Sequence, residues 1–162
     1  MPTLDALTIS PRIKEFDKLC ASDDLSLIAL QEKVKLLDES DIEHISHNMG
    51  SSVHKACMNK NVTLEIITYL LDVFPSAVSN GLVEKDNVIM VAYLLHYACY
   101  NKDCPGTVIK LLLERNPSAL EKLCIVEKGI NDSWYEDVYG LPLHYYLSRN
   151  ENVNIDIIKL KY

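Results

Sequence analysis

The sequence predicts an all-α solenoid of stacked helix pairs whose connectors form β-hairpin fingers, and three observations predict it. The first is an internal repeat. Val53 to Val78 aligns with Leu95 to Leu120 without a gap, and eleven of 26 positions are identical, which chance does not produce over so short a window. The second is periodicity. In TLEIITYLLDVF the residues Leu64, Ile67, Leu70, Leu71 and Phe74 fall at three- and four-residue steps, which gives a helix one apolar face. The third is spacing: His54 to His96 is 42 residues and His96 to His144 is 48, a period that marks a solenoid.

Taken in order, residues 1–10 (MPTLDALTIS) read as a flexible tail. Residues 11–50 read as an atypical N-terminal capping repeat, because one side of a terminal repeat faces water. There Leu19-Cys20 takes the Ala-Cys place, the run Leu27 to Leu37 is the second helix, and Asp17 stands where the repeat histidine would be. SDIEHISHNMG is the connector that follows. Repeat 1 with its connector is 51–92. SSVHKACMNKN forms a short helix that Asn59 can end in the left-handed conformation, Thr63 opens the second helix and Pro75 closes it. In LVEKDNVIMV two β-prone runs flank Lys85-Asp86-Asn87, as a hairpin requires. Repeat 2, at 93–139, runs the same way through YLLHYACYNKD, Asn101, Pro105 or Thr107 as opener, and Pro117. Its long connector turns at Lys128-Gly129. A partial third repeat fills 140–162, where GLPLHYYLSRN carries Leu143, His144 and Asn150, and NVNIDII echoes NVTLEII.

These helix starts resemble the ankyrin repeat, whose first helix opens on Thr-Pro-Leu-His-x-Ala. GLPLHYY keeps Gly140, Pro142, Leu143 and His144; GSSVHKA keeps Gly50, His54 and Ala56; AYLLHYA keeps Leu95, His96 and Ala98. The family threonine is replaced by Ser51, Tyr93 and Leu141, and only Ser51 retains a capping hydroxyl. The resemblance covers roughly residues 50 to 162. It implies that His54, His96, His144, Asn59, Asn101, Gly140 and Pro142 are structural signature residues. It also implies a non-catalytic adaptor or scaffold that binds another protein through its fingers and concave helix face.

Composition narrows the partner. A net charge of −7 and a pI near 5.2 argue against a nucleic-acid footprint, which needs clustered Lys and Arg. The N-terminus has no basic stretch before an apolar run, and no 18-residue apolar segment offers a membrane span. Five cysteines, an odd number without C-x-x-C, fit buried thiols in a reducing compartment. The expected setting is cytoplasmic, with the nucleus left open. No cofactor, metal or small-molecule substrate is expected.

Candidate chemistry is thin. His96 and Cys99 share a helix face, so a small cysteine hydrolase using Cys99 or Cys57 with a histidine is one alternative. The same His and Cys recur in SSVHKAC, however, and a catalytic pair is rarely duplicated in register. A regulatory ankyrin fragment of a larger protein is the other alternative. His44 and His47, three apart and near Asp41 and Glu43, could face one metal ion but lack a partner at zinc-ligand spacing. The aromatic residues point to partner binding. Tyr97, Tyr100 and Tyr145 lie on the short helices, while Trp134, Tyr135 and Tyr139 sit with Glu136 and Asp137 in a connector that no core demands.

Overall fold

The computed structural model of the protein describes residues 9–47, 52–79, 90–91, 93–121 and 125–126. Helix α1 (Pro11–Ala21) starts at Ser10, whose hydroxyl accepts from the backbone N–H of Arg12 at 3.2 Å and of Ile13 at 3.5 Å. Pro11 takes the first helical position, where its missing N–H costs nothing. Ser10 is thus the cap of the first helix and not the end of a loose tail; residues 1–8 lie outside the described residues. Ser26 and Thr63 cap α2 (Leu27–Val34) and α5 (Leu64–Val73) in the same manner, each accepting at 3.3 Å from the third residue onward. Pro105 opens α7 (Gly106–Arg115) with backbone geometry alone. Pro75 and Pro117 stop α5 and α7 as expected, and each begins a 3-10 turn, Pro75–Val78 and Pro117–Glu121.

The short helices α4 (Ser52–Met58) and α6 (Leu94–Tyr100) have seven residues each, too few to persist alone in water. Packing holds them. α1 lies against α4 and α4 against α6, while α2 lies against α5 and α5 against α7, so the first helices form one layer and the second helices another. The core between the layers repeats position by position. Phe16, Val53 and Leu95 fill one site, Cys20, Cys57 and Cys99 the next, and Leu30, Ile67 and Ile109 a third, all buried. Residues 16–34 therefore follow the same scheme as repeat 1, down to Ser26 at the place of Thr63.

Two expectations about the connectors also need correction. The segment SDIEHISHNMG is not a plain connector, because Glu39–His47 is helix α3, packed on α1 and on the 75–78 turn, and α2 ends at Val34 rather than running to Leu37. Asp38 caps α3 by accepting from Asp41 N at 2.9 Å, and Asp41 Oδ2 accepts in return from Asp38 N at 3.2 Å. Arg12 of α1 binds both carboxylates, reaching Asp41 through Nε at 2.8 Å. Asp41 is buried, so this ion pair fixes α3 onto α1.

The second correction concerns the fingers. Among the described residues the strand pairing is a short antiparallel ladder between β1 (Met90–Val91) and β2 (Ile125–Val126). It joins the end of one connector to the start of the next and is not a hairpin within either. The expected turns at Lys85-Asp86-Asn87 and Lys128-Gly129 lie outside the described residues. No helix among the described residues is long and apolar enough to cross a membrane.

Candidate interaction face

The register of the first-helix layer is set by two asparagines. Asn59 Nδ2 donates to the carbonyls of Cys20 at 3.0 Å and Ser22 at 2.7 Å, and its Oδ1 accepts from Asn61 N at 2.9 Å. Asn101 repeats the pattern one helix on, donating to Cys57 O at 2.9 Å and Asn59 O at 3.0 Å and accepting from Asp103 N at 3.0 Å. The carbonyls at the end of a helix lack an intrahelical partner, and here the neighbouring helix supplies one. Asn101 was expected to end α6 in the left-handed conformation. Its φ of −75° and ψ of 107° are extended instead, which turns the amide toward α4.

With the register fixed, equivalent positions meet in a regular way. The residue after each signature position touches the signature residue of the preceding helix. Tyr97 packs edge-on against His54 with ring centres 5.0 Å apart. Lys55 pairs with Asp17, whose other oxygen accepts from Ser52 Oγ at 3.2 Å. Asp17 in the histidine place is therefore matched by a lysine in the tyrosine place, so an ion pair substitutes for a ring contact at the N-terminal joint. One turn further along, Ala21, Met58 and Tyr100 occupy a single row. Met58 is 39% exposed and Tyr100 48%, so at this position of the row both α4 and α6 present a large side chain to water. Sequence reading named Tyr100 but missed Met58; its signal was its place beside Cys57, matching Tyr100 beside Cys99.

His96 acts locally. Its Nδ1 accepts from Tyr93 N at 3.0 Å while its own N–H donates to Tyr93 O at 2.9 Å, closing a ring at the start of α6. The two side chains stack with centres 5.9 Å apart. His96→Ala should therefore lower stability by about 1 to 2 kcal/mol by stranding the Tyr93 N–H. Thermal unfolding reads this directly, and an unchanged midpoint would remove the role assigned to the ring.

The four cysteines among the described residues are all free and buried. Cys57 and Cys99 are buried, and burial pushes both well above the ordinary thiol value. Burial also raises Cys104, to about 12, and Cys20. His54 is pushed down to about 4 by burial, so its imidazole is neutral at physiological pH. Near His44 and His47, Asp41 is committed to Arg12 and Asp38, and His47 Nδ1 lies 2.9 Å from the Glu43 carbonyl, to which it donates. Among the described residues no group of three or more His, Cys, Asp or Glu could hold a metal ion.

Of the sequence-nominated residues, the structure brings His54 and Tyr97 together and places Asn59 and Asn101 in one ladder. Trp134, Tyr135, Tyr139, Gly140, Pro142, His144 and Tyr145 lie outside the described residues. No protein-family model, curated protein or solved structure matches the chain.

Proposed function

We propose that this chain is a non-catalytic protein-binding module, an ankyrin-like stack that engages its partner through the exposed face of the first helices and the connectors beyond them. The observation that carries the reading is the row Ala21, Met58 and Tyr100, kept open to water while the side chains beneath it are buried and the asparagine ladder fixes its spacing. Large exposed side chains held at a fixed spacing suit protein recognition, in which a handful of aromatic and apolar side chains carry most of the energy. Trp134, Tyr135 and Tyr139 extend the reading as the expected anchors of the second connector.

The test compares the intact chain with a Met58→Ser/Tyr100→Ser double variant in quantitative partner capture. We expect binding to weaken by at least ~2 kcal/mol, because hot-spot anchors are being removed. The melting temperature should hardly move, since both side chains are partly exposed. Equal capture by both proteins would place binding elsewhere. The hydrolase alternative is checked on the same samples with iodoacetamide at neutral pH. Slow alkylation of Cys57 and Cys99 agrees with buried, protonated thiols, whereas rapid modification of either would restore a nucleophile.

A further inference from the structure

We propose that the groove between α2 and α5 is a second docking site, which takes a basic amphipathic helix of a partner protein and seats one apolar turn of it between Glu65 and Asp72. The groove lies on the second-helix layer and shares no residue with the row on the first helices. Leu27 and Leu64 hold equivalent places, each the first residue after its cap, and with Tyr69 they floor a groove of roughly 340 Å³ walled by Gln31, Glu65 and Asp72. The floor is open to water: Leu64 is 36% exposed and Leu27 is half-buried.

The residues that line the groove include two carboxylates, Glu65 and Asp72, and no Lys or Arg. α5 contains no Lys or Arg. On α2, Lys33 is turned away to Glu15 of α1 at 2.6 Å. The next joint along is finished differently, because Gly106 stands where Leu64 does, Arg115 of α7 reaches Asp72 at 3.8 Å, and Lys110 lies 4.0 Å from Glu114. The α5–α7 joint thus brings its own cations, while Glu65 at the α2–α5 joint makes no ion pair among the described residues. Glu65 and Asp72 are seven residues apart on one helix, roughly 10 Å along its axis. A partner helix with Lys or Arg seven apart and Leu or Met between them matches both carboxylates and the floor. The net charge of −7 would draw such a helix in at long range.

The experiment titrates the full chain with a synthetic helical peptide carrying Lys at two positions seven apart and Leu at the third and fourth positions between. Calorimetry gives the affinity and amide chemical shifts give the site. An acidic twin with Glu for Lys is run alongside. We expect the basic peptide to bind and to shift amides of 27–31 and 64–72, and the acidic twin not to bind. Glu65→Gln/Asp72→Asn should weaken binding at least tenfold. The charge-matched pair Glu43→Gln/Asp103→Asn, placed away from the groove, should weaken it less than twofold. Glu65→Gln alone, which breaks no ion pair, should still weaken it about threefold, so the result does not depend on the Arg115 contact. No binding to the wild type, shifts confined to other helices, equal binding of the acidic twin, or equal losses from the two charge-matched pairs would each overturn the site.

Discussion

Asn101→Ala is expected to lower the unfolding free energy by about 2 to 3 kcal/mol. The residue is 7% exposed, and its amide satisfies groups on two elements at once. Removing it takes away the partner of the Cys57 carbonyl at the end of α4 and of the Asp103 N–H in the loop below. Asn59 O loses one of two bonds, since Val62 N still donates to it at 3.1 Å. Leaving a buried polar group unpaired costs its full desolvation penalty, which is why the expected loss exceeds the net worth of an ordinary hydrogen bond. Asn101→Asp keeps the size but exchanges the donor for a charge facing two carbonyls, so it should be at least as damaging. Urea unfolding measures both through the midpoint at constant slope. A change below about 0.5 kcal/mol, the range of an ordinary surface substitution, would mean that the ladder does not set the register.

The asparagines show how far the sequence carried. Their repetition was plain, and so was the conclusion that they are structural. Their geometry was not, because an asparagine after a short helix serves equally as a left-handed terminator or as a donor to the next helix, and only the approach of α4 and α6 decides between them. The N-terminal unit was harder to read. Phe16, Leu25 and Leu30 fill the places of Val53, Val62 and Ile67, and a core accepts such exchanges when total volume is kept, so identity is lost while the fold persists. Asp17 looked like a defect in the pattern. It is half of a pair whose other half, Lys55, lies 38 residues away, a relation that single-sequence periodicity cannot express. Helix α3 had a legible start, since Asp38 and Asp41 are spaced as a capping box before Ile42 and Ile45, but the repeat scheme called for a connector there. The α2–α5 groove left no sequence signal at all. Leu64 and Leu27 are ordinary helix residues until the packing of α2 against α5 is known.

The second large effect is a pH dependence carried by His54. Burial disfavours the imidazolium, which moves the residue from an ordinary value of 6.5 to about 4 in the folded chain. Above about pH 6.5 the ring is neutral in both folded and unfolded states, and stability does not respond to it. Between those two values the unfolded chain takes up a proton that the folded chain refuses, so stability falls as the pH falls, by about 1.4 kcal/mol per unit. Below about 4 the folded ring protonates as well and the dependence ends. The full loss is about 3 kcal/mol, comparable to removing Asn101. Glu15 and Asp38 are exposed carboxylates, both held below the ordinary carboxylate value by hydrogen-bonded partners, Lys33 and Ser40 first among them. They cancel when wild type is compared with His54→Gln, which fills a similar space without titrating. Wild type should lead the variant near pH 7.5, and that lead should shrink by about 2 kcal/mol near pH 5, because only the wild type loses stability to proton uptake in its unfolded state. A lead independent of pH would show that the ring protonates within the fold. His54 would then have to meet water or an anion, and the edge contact with Tyr97 that ties α4 to α6 could not be the closed joint described above.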